Sequence, residues 1–131
     1  NRRAVSKSHD GGETWSKVEL DEELIEPVCQ ASFIRYTKRP EHDRNRLLFS
    51  NPASTERVRM TVKLSYDEGE TWPVAKLLHA GPSAYSSLAV LPDLSIGCLY
   101  ERGVESAYER ITFAKLSLDG LTDGKDKLTQ E

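Results

Sequence analysis

One eight-residue pattern occurs twice in this chain, 57 residues apart, and it restricts the fold more than any other feature. Ser8-His9-Asp10-Gly11-Gly12-Glu13-Thr14-Trp15 and Ser65-Tyr66-Asp67-Glu68-Gly69-Glu70-Thr71-Trp72 both read S-x-D-x-G-x-T-W. Asp and Ser can bond backbone amides within a turn, and Gly permits the positive φ that a tight hairpin needs. The Trp closing each copy is expected to fold back as an apolar plug beneath its hairpin. The repeat period is about the length of one four-stranded sheet, so the pattern suggests blades of a β-propeller. A closed six-bladed ring at this period needs roughly 340 residues, and the chain has 131.

Between the repeats the chain alternates short apolar runs with turn residues, and no stretch reads as a helix. Arg2–Ser8 leads into the first repeat and Lys17–Leu20 leaves it. Gln30–Tyr36, Arg46–Ser50, Arg57–Ser65 and Val74–His79 read as four strands, with the second repeat joining the last two. Tyr85–Leu91, Ser95–Glu101 and Tyr108–Leu116 supply three more, and Pro92-Asp93-Leu94 turns between the first pair. The acidic run Glu19–Glu26 reads as a solvated connection. The expected organisation is the end of one blade (1–28), a whole blade (29–80), strands of a last blade (81–117) and a polar tail (118–131). That tail either covers a sheet edge or stays disordered. Open edges at both ends predict that the isolated chain is marginal or self-associating. The chain opens in the middle of a strand and without Met, which suggests a piece of a longer protein, so a missing signal peptide says nothing about secretion.

Charge narrows the class of partner. The 18 basic and 21 acidic residues are interspersed, giving a net charge of −3 and no basic stripe, which argues against nucleic acid. No apolar run approaches the length of a membrane span. Cys29 and Cys98 fit no metal spacing and read as buried free thiols rather than a disulfide. His9, His42 and His79 are scattered and form no triad or ligand set, so no metal and no cofactor is expected.

The repeat resembles the Asp-box of sialidases, which joins the third and fourth strands of successive propeller blades. Non-catalytic Asp-box propellers carry it too. By that resemblance Ser8, Asp10, Gly12, Thr14 and Trp15, with Ser65, Asp67, Gly69, Thr71 and Trp72, are structural. The likeness becomes specific at Ala84-Tyr85-Ser86-Ser87-Leu88 followed by Ile96-Gly97-Cys98-Leu99-Tyr100-Glu101. That stretch is similar to the exo-α-sialidase segment bearing the nucleophilic tyrosine. The resemblance implies Tyr85 as nucleophile, Glu101 as the carboxylate that orients an active-site arginine, and Arg57 as one of three arginines holding the substrate carboxylate. Arg59 is a rival to Arg57, because alternation along a strand would put both on one side. Cys29-Gln30-Ala31-Ser32 resembles an inner-strand segment, so Gln30 either bonds the sugar or is bonded to backbone.

The chemistry suits these residue types. Sialic acid carries a carboxylate on its anomeric carbon, so a neutral phenol attacks without the repulsion a carboxylate nucleophile would meet. Phenols ionise near pH ~10, so such an attack needs a base and neighbouring cations. Guanidinium grips a carboxylate in a bidentate, charge-assisted way that Lys cannot match. The implied function is release of terminal sialic acid from sialylated glycans by a retaining mechanism. The acid/base, the activating glutamate and two further arginines would come from the remaining blades, so this chain alone is expected to be inactive. The alternatives are a trans-sialidase with the same residues, or an Asp-box propeller that binds glycans or proteins without cleaving them. An ordinary strand aromatic for Tyr85 and solvated charges for Arg57 and Glu101 would favour the last.

Overall fold

The computed structural model describes residues 1–129. Two strands, β1 (Arg2–Val5) and β2 (Glu19–Ile25), form an antiparallel pair around the first repeat. Six more follow one another in order, each antiparallel to the next: β3 (Ser32–Thr37), β4 (Arg46–Pro52), β5 (Val58–Ser65), β6 (Val74–Val90), β7 (Ile96–Arg102) and β8 (Arg110–Leu116). A single helical turn, α1 (Leu118–Leu121), ends the regular structure, with the Ser117 hydroxyl accepting from Gly120 N at 2.9 Å.

The sheet's continuity rests on β6. Its first half pairs with β5 as far as Pro82, and from Ser83 onward it pairs with β7. The sequence suggests two strands, Val74–His79 and Tyr85–Leu91, with a break at Ala80-Gly81-Pro82. The chain instead stays extended through that stretch. A residue before proline favours the extended region, and proline lacks the N–H that a ladder would require. Pro82 therefore falls where the strand changes partner.

Residues of β4 are buried along its whole length. Leu48 faces the main core with Met60, Val62, Leu64, Leu88, Ile96, Cys98 and Tyr100. Leu47 and Phe49 face the opposite side, against Leu24 of β2 and Trp72. A strand covered on both faces needs a continuous apolar run rather than alternation, which is what Leu47-Leu48-Phe49 provides. β4 is thus sandwiched between neighbouring sheets, the arrangement expected of a stacked blade.

The two hairpin repeats share one hydrogen-bond pattern. Asp10 Oδ1 accepts from Thr14 N at 2.9 Å and from the Ser8 hydroxyl at 2.8 Å, while Oδ2 accepts from Thr14 Oγ1 at 2.5 Å. Asp67 repeats these bonds at 2.9 Å, 2.8 Å and 2.6 Å with Thr71 and Ser65. Ser8 and Ser65 accept from the amides of Gly12 and Gly69. Both glycines take positive φ, 96° and 85°. The Thr bonds, foremost, hold both Asp carboxyls down at about 2.

Three further expectations require correction, and for the tail the disordered one of its two expected forms gives way. The acidic run is not a loose connection: Glu19–Ile25 is strand β2, and its carboxylates serve the next sheet. Asp21 Oδ2 accepts from Trp72 Nε1 at 3.1 Å, and Glu23 Oε2 accepts from Trp72 N at 3.2 Å. Trp15 and Trp72 are not equivalent plugs. Trp72 is buried against Phe33 and Phe49, whereas Trp15 is 64% exposed, its indole N–H bonded to Gly12 O of its own loop. The stretch Tyr108–Leu116 is shorter as a strand, β8 starting at Arg110 and leaving Tyr108 in a loop. The tail is partly helical and docked: Leu118 and Leu121 are buried, and Asp126 is paired with Arg46. Residues 130–131 of that tail lie outside the described residues. Cys29 and Cys98 are both free and buried.

Candidate active site

Tyr85 lies just after the point where β6 changes sheets. The β6–β7 register shifts between Ser83 and Ser86, so Ala84 and Tyr85 together oppose Glu101. A bulge of this kind re-aims a side chain and interrupts the ladder. Here the interruption frees the Tyr85 amide, which donates to Glu101 Oε2 at 2.9 Å. Ala84 and Ser86 on either side point inward and are buried, while Tyr85 is 50% exposed. The other Glu101 oxygen takes no hydrogen bond among the described residues, so it is open to a cationic partner.

Arg57 immediately precedes β5. Its guanidinium carbon stands 5.8 Å from the Tyr85 ring centroid, within the range of a cation–π contact. One terminal nitrogen donates to Tyr108 Oη at 2.6 Å, and the other to Val28 O at 3.2 Å. Guanidinium has five N–H donors. One N–H on each terminal nitrogen, and that of Nε, therefore have no protein acceptor among the described residues. Cys29, which bears a charge only at the high pH where an arginine titrates, and then the Tyr108 bond raise the Arg57 pKa further, so the group keeps its charge at any working pH. Burial pushes the Cys29 thiol up against the pull of Arg57, which keeps it protonated and unreactive.

Arg59 does not share the Arg57 side. It sits at a register shift with φ 65°, where the bulge breaks the alternation that would align the two residues. Its guanidinium makes no bond to the site residues among those described. Gln30 lies against the backbone of β6: Oε1 accepts from Ser86 N at 3.1 Å and Nε2 donates to Ser86 O at 2.9 Å. The side-chain amide thus imitates a neighbouring strand along an edge of β6 that lacks one. Ser32 extends the imitation, its hydroxyl accepting from Leu88 N at 2.9 Å. Asp10 and Asp67 stay in their hairpins, bonded within them.

The structure therefore brings Tyr85, Arg57 and Glu101 together, with Gln30, just before β3, bonded to Ser86, the next residue of β6 after Tyr85. It adds three participants that sequence reading missed: Tyr108, Val28 and Ser86. Val28 contributes a carbonyl from a turn with φ 53°, an unusual conformation for a β-branched residue. No local pattern signals these roles, because each depends on contacts across 29 to 56 residues of chain. Among the described residues no group of His, Cys, Asp and Glu could hold a metal ion, and no helix is long and apolar enough to cross a membrane.

An exposed phenol beneath a held cation with unused N–H groups is suited to receiving an anionic ligand beside the phenol oxygen. Comparison with known proteins bears on the family and the fold of the chain. Residues 1–100 match the model of the BNR repeat-like domain. The chain is similar to the sialidase of Micromonospora viridifaciens, 41% identical over 118 residues, covering 87% of this chain and 18% of that protein. Among solved structures it is similar to a Hadza microbial sialidase, with 37% identity and TM-score 0.74, covering 92% of this chain and 24% of that one. It is also similar to a leech intramolecular trans-sialidase in complex with 2,7-anhydro-Neu5Ac, with 28% identity and TM-score 0.78, covering 94% of this chain and 21% of that one. The chain spans about a fifth of the length of the bacterial sialidases it matches and little more than a third of any curated relative among those matched. With these neighbours, the all-β architecture is part of a β-propeller.

Proposed function

The chain belongs to the sialidase family, and from that premise we propose that the protein carrying it is an exo-α-sialidase acting on sialylated glycans with Tyr85 as nucleophile. The observation that carries this reading is the exposed Tyr85 phenol beneath the Arg57 guanidinium, with Glu101 bonded to the Tyr85 amide. A charge at 5.8 Å from the ring can hold a substrate carboxylate beside the phenol oxygen. Such a carboxylate sits on the carbon that the phenol must attack.

In the proposed first step the Tyr85 oxygen bonds to the anomeric carbon as the glycosidic C–O bond breaks. The phenolic proton passes to a base, and the departing aglycone oxygen takes a proton from an acid. Water then attacks the same carbon, the bond to Tyr85 breaks, and the phenol regains a proton. Two displacements give net retention. Arg57 holds the carboxylate through both steps. Glu101 fixes the Tyr85 main chain with one oxygen and orients an arginine with the other. The acid, the base and the remaining arginines come from other blades of the same propeller, so the isolated 131-residue chain does not turn over.

A second reading has a specific observation behind it, the likeness to an intramolecular trans-sialidase. In that case a hydroxyl of the sugar itself, rather than water, releases the tyrosine. The test is release of a fluorogenic aglycone from an α-sialoside by the full-length protein, its Tyr85→Phe variant and the isolated chain, with the sugar product identified by NMR. The full-length protein should cleave. Tyr85→Phe should lose about a thousandfold or more in kcat, and the isolated chain should be inactive. Free sialic acid as product supports hydrolysis, and an anhydro sugar supports the second reading. A protein that binds sialosides without cleaving them would contradict both and point to a scaffold.

A further inference from the structure

We propose that Tyr108 is a positioning residue of the carboxylate clamp, holding Arg57 over Tyr85 without neutralising it. This rests on the function proposed above. Arginine is long and rich in rotamers, and ordering it in a bound complex has an entropic cost. In this chain that cost is met before any ligand arrives. Arg57 is anchored on one side by Val28 O at 3.2 Å and on the other by Tyr108 Oη at 2.6 Å. Both acceptors are uncharged. A carboxylate in either place would hold the guanidinium more strongly but would compete with an anionic ligand for its charge. A phenol oxygen and a carbonyl fix its direction and leave the positive charge available.

The loop that presents Tyr108 is built for placement. The Glu109 carboxylate accepts from three successive amides, Val104 N at 3.1 Å, Glu105 N at 2.7 Å and Ser106 N at 2.8 Å. These bonds hold the Glu109 carboxyl below the usual carboxylate range. The Ser106 hydroxyl accepts from Tyr108 N at 3.3 Å. Gly103 leaves no room for a side chain, since a Cβ there would stand 1.7 Å from Ser106 O. Its amide donates to Pro82 O at 3.0 Å, tying the loop to β6 three residues before Tyr85. Ala107 packs in a small buried cluster with Cys29 and Ala84, neighbours of Val28 and Tyr85 respectively. The loop, the Val28 turn and the Tyr85 bulge therefore meet at one point, and Tyr108 closes it.

The experiment is steady-state kinetics of the full-length protein on a fluorogenic α-sialoside, with free sialic acid as competing ligand. The variants are Tyr108→Phe, Arg57→Lys and the double substitution. Tyr108 is 63% exposed and Phe keeps its ring, so thermal unfolding should match the parent. Loss of one hydrogen bond to a charged partner at an exposed site predicts a rise of about three- to tenfold in both KM and the inhibition constant of sialic acid. The kcat should stay within about twofold, because the clamp holds ground and transition states alike. In the Arg57→Lys background the same change should have no further effect. An active protein impaired by Arg57→Lys but indifferent to Tyr108→Phe would overturn the role of Tyr108 alone. Effects that multiply in the double variant would overturn it too, since Tyr108 would then act independently of Arg57. A parent protein that neither cleaves the sialoside nor binds sialic acid would overturn the sialidase reading, and this inference with it.

Discussion

Asp126→Ala should release the C-terminal tail from the sheet, by an amount that follows from the burial of its partner. The Arg46 side chain is wholly buried, and Asp126 grips it with both oxygens, at 2.8 Å from Nε and 2.9 Å from Nη2. Asp126 Oδ2 also accepts from Tyr66 Oη at 2.8 Å. Removing one partner of a buried ion pair costs about 3–5 kcal/mol, because the other charge is left stranded. Here Asp43 remains, bonded to Arg46 at 2.9 Å and 3.1 Å but one-third exposed. The expected cost falls to about 2–3 kcal/mol, or about 30- to 150-fold in an opening equilibrium. Hydrogen exchange at Leu121 and Thr122 reports that opening, since their amides are bonded to Ser117 O and Leu118 O within the docked turn. Tyr66→Phe, which removes one bond and no charge, should accelerate the same amides about fivefold. Burial alone would raise the Asp126 carboxyl, but the bonds from Arg46 and Tyr66 outweigh it and lower the pKa. A lowered folded pKa places the stabilisation above the ordinary carboxylate value and removes it as pH falls through the lowered one. Exchange at Leu121 and Thr122 in Asp126→Ala that stays within about threefold of the parent would refute the argument, showing the tail to be held by Leu118 and Leu121 alone.

Three further outcomes follow from the packing and the site. Trp72→Ala empties a buried position against Phe33 and Phe49 and should cost about 3–5 kcal/mol in urea unfolding, with Trp15→Ala costing much less. Glu101→Gln should keep the fold, since an amide oxygen can still accept from Tyr85 N, yet on the role proposed for it lower kcat/KM about tenfold or more by removing the charge offered to an arginine. Gln30→Leu removes both bonds to the Ser86 main chain, so the β6 amides near Tyr85 should exchange faster while affinity for sialic acid changes little; a selective loss of affinity would instead make Gln30 a sugar contact.

Local physics made the hairpins legible, because S-x-D-x-G-x-T-W carries its acceptors, its donors and its positive-φ residue within eight positions. Propeller architecture followed from their spacing. The segment from Ala84 to Glu101 pointed to Tyr85 and Glu101 by resemblance, and the bulge then supplied a physical reason for one to face the other. What stayed hidden depended on partners far along the chain. Glu19–Ile25 lacks apolar alternation because its acidic side chains receive Trp72 from another sheet. Gly81-Pro82 reads as a break, yet it marks a change of partner within one extended strand. Alternation made Arg59 a rival to Arg57, and its φ of 65° breaks that alternation. Tyr108 had no signal at all, since its role is created by the Glu109-bonded loop.

The central claim is that a tyrosyl glycoside forms at residue 85. It is tested most directly by treating the full-length protein with a sialosyl fluoride bearing a second fluorine beside the anomeric carbon, which slows breakdown of a covalent intermediate. Peptide mass spectrometry then locates the sugar. The account predicts one equivalent of sialosyl adduct on Tyr85, no adduct in Tyr85→Phe, and recovery of activity as the adduct hydrolyses. Turnover with an adduct on another residue, or with inversion and no adduct, would contradict it.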